Sequence, residues 1–128
     1  MRNKFFDWHI LKEVEFDIPV IAVGNLAVGG TGKTPHVEYI VEKMRRNRKV
    51  AVLSRGYKRE THGFVMAGRN SMPRDIGDES YQIYRKFGGE VIVAVCEDRV
   101  HGIRELLRTN PSIEMIVLDD AFQHRYVK

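Results

Sequence analysis

Short apolar runs recur along the chain and are separated by segments with helical spacing. Four of the runs are apolar almost throughout and predict buried strands, at residues 18–23, 50–53, 91–95 and 115–118. A shorter run at residues 63–67 predicts a small strand or hairpin arm. Strands without polar alternation are typical of a parallel sheet that is covered on both faces. The runs therefore predict an α/β chain built around such a sheet.

The segments between the runs carry one apolar face each. Val37, Ile40, Val41 and Met44 fall at positions i, i+3, i+4 and i+7 and predict a helix after residue 34. A second helix is predicted to begin near Asp78, and a third is predicted to be capped by Asp98. Residues 2–12, which are basic and aromatic, predict a short amphipathic helix. The whole pattern favours an open, doubly wound sheet with helices on both faces.

Composition narrows the functional classes. The 128 residues are 43% hydrophobic and 30% charged, which is typical of one globular domain. The net charge of +4 is too small to indicate a nucleic-acid binder. Cys96 is the single cysteine, so the sequence excludes a disulfide within the chain and a multi-thiolate metal site. No apolar run approaches the roughly 18 residues that a membrane-spanning helix needs.

A glycine-rich segment lies between the first strand and the first helix. It reads Ala27, Val28, Gly29, Gly30, Thr31, Gly32, Lys33 and Thr34. Glycines let backbone N–H groups turn toward phosphate oxygens, and the following helix directs its positive end at the anion. Lys33 would reach the β- and γ-phosphates, and the Thr34 hydroxyl would ligate Mg²⁺. The segment departs from the usual P-loop pattern only at Ala27, and it predicts a P-loop NTPase-like nucleotide site.

Two adjacent acids end the fourth run. An apolar strand that ends in aspartate is typical of the Walker B element, whose carboxylate completes the Mg²⁺ shell opposite the P-loop threonine. Neighbouring residues of a strand point in opposite directions, so one acid is expected to face the metal. We favour Asp119 for that role, with Asp120 close by as a proton-handling group.

Other polar residues follow the predicted strands or begin the predicted helices. Asp78 and Glu79 begin a helix, where acids favour the positive end of the dipole, and spacing alone favours that capping role over catalysis. Within residues 43–59, which are rich in Lys and Arg and mostly expected to be solvated, Arg55 is the candidate for a phosphate contact. Arg99 and His124 are secondary site candidates.

These motifs, taken together and in this order, resemble the N-terminal part of the bacterial tetraacyldisaccharide 4′-kinases. The matching residues are Val23-Gly24-Asn25-Leu26, residues 28–35, Ser54-Arg55-Gly56-Tyr57, Gly77-Asp78-Glu79, Glu97-Asp98-Arg99 and residues 119–124. The Ser-Arg-Gly-Tyr and Asp-Asp-x-Phe-Gln-His elements are much more specific than a P-loop. Ser80 stands where the family commonly has proline, and Ala121 stands where it usually has glycine.

The resemblance implies a phosphoryl transfer. ATP would donate its γ-phosphoryl group to the 4′-hydroxyl of a tetraacyldisaccharide 1-phosphate in lipid A biosynthesis, at the cytoplasmic face of the inner membrane. Residues 27–34 would hold ATP, Lys33 would stabilise the transferring charge, and Thr34 would help hold Mg²⁺. Asp78 matches the family's proposed catalytic base, and this match reverses the preference for capping. Asp119 and Asp120 match the family's acidic pair.

The resemblance also implies a division of the chain. Residues 1–14 would be the remainder of an N-terminal amphipathic, membrane-proximal helix, and residues 15–128 the nucleotide-binding domain, which ends before the family's C-terminal lobe. Because phosphoryl transfer depends on positioning and charge stabilisation, this chain alone is expected to bind nucleotide weakly and to have little kinase activity. The expected partners are the acylated disaccharide lipid and the inner-membrane surface.

Two other functions remain open from the residues alone. A P-loop ATPase or GTPase switch of the partitioning or metal-chaperone type also uses a Gly-Gly-x-Gly-Lys-Thr loop. Such switches typically carry a second lysine early in the loop, where this chain has Ala27 and Val28. The other alternative is a non-catalytic module that binds nucleotide or associates with a membrane.

Overall fold

The structure, a computed structural model, describes residues 8–10, 16–23 and 33–119, with side chains described over residues 16–23 and 37–119. The strands are β1 (Trp8–Ile10), β2 (Val20–Val23), β3 (Val50–Ser54), β4 (Val65–Met66), β5 (Ile92–Val95) and β6 (Met115–Asp119). The helices are α1 (Lys33–Met44), α2 (Pro73–Ile76), α3 (Asp78–Phe87) and α4 (Arg99–Thr109). The glycine-rich residues 27–32, Asp120 and His124 lie outside the described residues.

Within the described residues, six strands form one sheet in the order β1-β2-β6-β3-β5-β4. The four inner strands are parallel, whereas β1 and β4 run antiparallel at the two edges. The register places Val23 beside Asp119, and Ser54 beside Val95. Four strand ends therefore lie in one row, which we call the carboxyl rim: Val23, Asp119, Ser54 and Val95. The predicted mostly parallel sheet is confirmed.

Alternate residues of the inner strands build two separate cores. On one face, Val52 and Val117 pack with buried residues of α1 and α3, among them Val37 and Ile83. On the other face, Leu53 and Leu118 pack with Ile103 and Leu106 of α4. Because every inner strand is buried on both faces, its sequence has to be apolar throughout. The predicted covering of both faces by helices is confirmed.

The helix predicted over residues 2–12 is wrong for the part of it that the structure describes. Residues 2–12 were expected to be helical, but Trp8–Ile10 is a strand paired antiparallel with β2, with Trp8 beside Val23 and Ile10 beside Ile21. The outer edge of β2 presents unpaired N–H and C=O groups, and strand pairing satisfies them. An isolated helix of about eleven residues is marginal in water, so its periodicity is a weak constraint. Residues 2–7 and 11–12 lie outside the described residues.

The other predicted elements are present with shifted ends. The segment at residues 63–67 forms the two-residue strand β4, and Asp98 caps α4 by accepting hydrogen bonds from the backbone N–H groups of Val100 and His101. The single-turn helix α2, with Pro73 in its first turn, was not predicted. No helix in the described part of the chain is long and apolar enough to cross a membrane.

Two adjacent leucines of α4 provide a test of the core. Leu106 is fully buried, whereas Leu107 is only partly buried against the same cluster. Leu106→Ala should lower the free energy of unfolding by about 2–5 kcal/mol through lost burial and a residual cavity. Leu107→Ala should cost clearly less, because water already reaches that side chain. Urea unfolding measures both variants, and equal losses would contradict this packing of α4.

Candidate functional site

The carboxyl rim brings a buried acid next to the strand that precedes the glycine-rich segment. Asp119 ends β6, is 3% exposed, and pairs in register with Val23, the last residue of β2. Side chains alternate along a strand, so Asp119 shares the face of Val117, which packs against α1. Asp119 therefore lies at the edge and on the face where α1 begins. This placement is what the choice of Asp119 as the metal-facing acid requires.

Lys33 and Thr34 are the first two residues of α1. The backbone N–H groups at a helix start have no partner within the helix, and the dipole makes this end positive. The start of α1 therefore has the electrostatic character that binds a phosphate. This agrees with the strand–loop–helix context predicted for the glycine-rich segment.

Asp78 and Glu79 are the first residues of α3, and both are exposed. Helix α3 shares the face of α1, because Ile83 and Phe87 belong to the same core cluster as Val37. The exposed carboxylates favour the positive end of their own helix and remain accessible from solvent. Their placement is compatible both with the capping role and with a role toward a bound substrate.

A pair of buried hydroxyls fixes the start of α3 to the carboxyl rim. Ser54 ends β3 and Ser80 lies in the first turn of α3; the two Oγ atoms are 2.7 Å apart, and both residues are buried. A buried hydroxyl pair in an apolar region is satisfied only while both partners are present. The contact thus places Asp78, two residues before Ser80, at the rim. Neither serine was singled out from the sequence as a linking residue, because nothing local indicates that the two side chains meet.

Close backbone packing brings the Ser-Arg-Gly-Tyr and Gly-Asp-Glu motifs together. Gly77, directly before Asp78, has φ of 90°, which side chains rarely adopt. A methyl group on Gly77 would lie 3.2 Å from the Tyr57 carbonyl oxygen and 3.4 Å from the Gly56 Cα atom. Only glycine fits here without displacing the backbone of residues 56–57.

Polar contacts also fix α1 relative to α3. Glu38 of α1 accepts a hydrogen bond from the Gln82 side-chain amide at 3.0 Å and pairs with the Lys86 ammonium at 3.6 Å. Both partners lie on α3. The helix that begins at Lys33 and the helix that begins at Asp78 are therefore linked directly as well as through their shared core.

Arg55 and Arg99 both lie near the carboxyl rim, but they belong to different elements. Arg55 is partly buried, and its guanidinium donates to the Glu97 carbonyl at 3.5 Å. Arg99 is the first residue of α4, which packs on the opposite face of the sheet from α1 and α3. Arg55 is thus held near the ends of β3 and β5. Arg99 lies at the same edge but begins an element of the other face.

The burial and pairing of Arg59 were not predicted from the sequence. Arg59 was counted within a basic run expected to be mostly solvated, yet its side chain is only 3% exposed and pairs with Glu97 at 2.8 Å. The partner follows another strand 38 residues away, so only the sheet order reveals the pairing. Cys96, which follows β5 directly, is also buried, and burial raises the pKa of its thiol.

Among the described side chains, no group of three or more His, Cys, Asp or Glu residues converges as a self-contained metal site. The carboxylate of Asp119 is a hard oxygen donor, which suits Mg²⁺ bound jointly with phosphate oxygens rather than in an all-protein cage. The donor chemistry at the rim therefore fits a nucleotide-bound magnesium ion.

The serine pair can be tested by a double-mutant cycle. Ser80→Ala should lower the free energy of unfolding by about 1–3 kcal/mol, because it leaves the buried Ser54 hydroxyl without this partner. Ser54→Ala should cost a similar amount, and the double variant should cost much less than the sum of the two. Thermal or urea unfolding of the four proteins measures the coupling. Additive losses would show that the two hydroxyls are not coupled.

Comparison with known proteins identifies relatives of this chain. The family model described as tetraacyldisaccharide-1-P 4′-kinase matches residues 1–128. The chain is 58% identical over its full length to the tetraacyldisaccharide 4′-kinase of Bacteroides thetaiotaomicron and covers 34% of that protein. It is 53% identical to the enzyme of the same name from Flavobacterium johnsoniae, again over its full length, and covers 37% of that protein.

A solved structure shows the same fold. The crystal structure of the "apo" form of LpxK from Aquifex aeolicus in complex with ATP has a TM-score of 0.74 to this chain, at 39% sequence identity. The match covers 90% of this chain and 37% of that one. The chain thus spans about a third of the length of the curated relatives that it matches. On its sequence and its fold, the chain belongs to the tetraacyldisaccharide-1-P 4′-kinase family.

Proposed function

We propose that this chain supplies the nucleotide-binding part of a kinase that transfers the γ-phosphoryl group of ATP to the 4′-hydroxyl of a tetraacyldisaccharide 1-phosphate. The observation that carries the proposal is the position of Asp119. It is buried at the carboxyl rim, beside the end of the strand that leads into the glycine-rich segment, on the face where α1 begins. Family membership supplies the substrate class, and the relative from Aquifex aeolicus was solved with ATP.

The residues divide between holding the nucleotide and holding its metal. Residues 27–34 would cradle the phosphates with backbone N–H groups, and the Lys33 ammonium would stabilise charge on the transferring group. Thr34 and Asp119 would hold Mg²⁺ through hydroxyl and carboxylate oxygens, the donors that this ion prefers. When bound, the metal neutralises negative charge on the phosphates. Asp120 would serve the same site as a nearby acid.

Asp78 is the proposed proton acceptor. Its carboxylate is exposed at the start of α3, so an incoming hydroxyl can reach it, and the Ser54–Ser80 contact fixes the turn that carries it. A positioned carboxylate that takes the proton of the attacking hydroxyl is the usual base in kinase chemistry. Further candidates for contacts to substrate or nucleotide are Arg55, Glu79, Arg99 and His124.

Because the proposed acceptor is a lipid, the reaction is expected to take place at a membrane surface. We place the reaction at the cytoplasmic face of the bacterial inner membrane, with the membrane surface as a partner. Phe5, Phe6 and Trp8 are flanked by basic residues, a composition that suits the interface of a bilayer. Membership in the kinase family over all 128 residues weighs against the partitioning and metal-chaperone ATPases as the alternative.

A chimeric kinase tests the transfer. In it, residues 1–128 replace the matching segment of the Bacteroides thetaiotaomicron relative, which is 58% identical. The chimera should transfer labelled phosphate from ATP to a tetraacyldisaccharide 1-phosphate. Release of inorganic phosphate without labelling of the lipid would favour the ATPase alternative instead.

Asp78→Ala in this chimera should lower the transfer rate by roughly 10²- to 10⁴-fold, because the proton of the attacking hydroxyl loses its acceptor. ATP affinity should stay near that of the parent chimera, since the nucleotide is held from α1 and β6. Asp17→Ala, which removes an exposed acid before β2, is the matched control and should leave both unchanged. Loss of ATP binding in Asp78→Ala would assign Asp78 to structure.

A further inference from the structure

A buried arginine, Arg59, lies in the loop that follows β3. The Arg59 guanidinium donates to three acceptors, each at 2.8 Å: the Glu97 carboxylate, the Gly63 carbonyl and the Thr61 hydroxyl. Only 3% of its side chain is exposed. A buried guanidinium needs this degree of pairing to offset the loss of hydration. Space is also reserved for it, because a methyl group on Gly56 would lie 2.5 Å from the Arg59 Cδ atom.

Glu97, which lies just beyond the end of β5, completes the pair. One carboxylate oxygen accepts from Arg59, and the other accepts from the Gly63 backbone N–H at 2.9 Å. Burial favours the neutral acid, but hydrogen bonds from the N–H groups of Glu97 and Gly63, together with the Arg59 charge, lower the pKa of Glu97 below its ordinary value. Both partners are therefore charged near neutral pH. Together they join the loop after β3 to the residue two positions beyond β5.

The same network continues to the turn that carries Asp78. The Thr61 hydroxyl, which accepts from Arg59, donates to the Asp75 carbonyl at 2.6 Å. The Glu60 backbone N–H donates to the Arg74 carbonyl at 2.7 Å. Both acceptors lie in α2, which ends one residue before Gly77. A chain of contacts therefore runs from Glu97 through Arg59 and Thr61 to within three residues of Asp78.

We infer that Arg59 and Glu97 are positioning residues for Asp78. We call Arg59, Thr61, Gly63 and Glu97 the Arg59–Glu97 clamp. The Arg59 side chain of the clamp packs against Gly56, and Gly77 packs against the backbone of residues 56–57. Thr61 of the clamp anchors α2 through the Asp75 carbonyl. The inference rests on the proposed role of Asp78. A displacement of about 1 Å in a reacting group can cost on the order of 100-fold in rate, so a clamp of this kind has a kinetic consequence.

Amide hydrogen exchange on the 128-residue chain tests the clamp without reference to catalysis. Arg59→Met removes the charge and keeps most of the side-chain volume; Arg104→Met, at an exposed position on α4, is the matched control. Exchange at residues 60–63 and 75–80 should rise at least tenfold in Arg59→Met. The rise there should exceed any rise at residues 115–118, which report global unfolding. Unchanged exchange at residues 75–80 would overturn the clamp, whether or not the chimera is active.

A double-mutant cycle on the transfer rate of the chimeric kinase tests whether Arg59 acts through Asp78. Arg59→Met should lower kcat roughly 10- to 100-fold, with less than a twofold change in KM for ATP. Added to Asp78→Ala, it should lower the residual rate by no more than twofold, because the group that it positions is already gone. Arg59→Lys, which keeps the charge, should recover part of the loss.

Two outcomes separate the clamp from the proposed function. An equal fold loss from Arg59→Met in both backgrounds would overturn the positioning role and assign Arg59 to general stability. A parent chimera that transfers no phosphate to the lipid would contradict the proposed function, and the exchange measurement would then decide on the clamp alone.

Discussion

The parallel pairing of β6 between β2 and β3 is the constraint on which the rest of the site depends. Backbone hydrogen bonds set the register that places Val23 beside Asp119 and Leu53 beside Leu118. A slip of one residue would turn each side chain of β6 to the opposite face. Asp119 would then face α4, and the apolar side chains of β6 would each point into the core on the wrong side of the sheet. The burial of β6 on both faces therefore fixes the face to which the Asp119 carboxylate points.

Two helices on the face of Asp119 begin at the same edge of the sheet and complete the candidate site. The start of α1 provides the positive end of a helix, and the start of α3 provides two exposed carboxylates. Three kinds of contact fix both helix starts relative to the sheet. They are the shared apolar core, the polar bridge through Glu38, and the buried contact between Ser54 and Ser80. The proposed phosphoryl transfer requires mainly positioning and fixed charge, and these contacts would supply the positioning.

Much of the fold, and less of the site, could be predicted from the sequence. Continuous apolar strands and helical spacing are local signals, and they indicated the parallel sheet and the covering helices. The edge strand Trp8–Ile10 was missed because pairing with β2 is a long-range interaction that overrides a short amphipathic pattern. Arg59 was missed for the same reason, since its partner Glu97 reaches it only through the order of β3 and β5. The candidate site residues could be named because their spacing is typical of phosphate and magnesium chemistry, and their roles stay predictions.

In the proposed function, nucleotide and metal bind at the carboxyl rim, on the face of α1. The most direct test is line broadening of the backbone amides of the 128-residue chain by ATP with Mn²⁺ in place of Mg²⁺, because paramagnetic broadening falls steeply with distance. We predict that the amides of Asp119, Ser54 and Asp78 broaden well before those of Val50, Ile92 and Met115, which begin their strands at the opposite edge. Broadening centred on Val50, Ile92 and Met115, or spread evenly over both edges, would contradict the account.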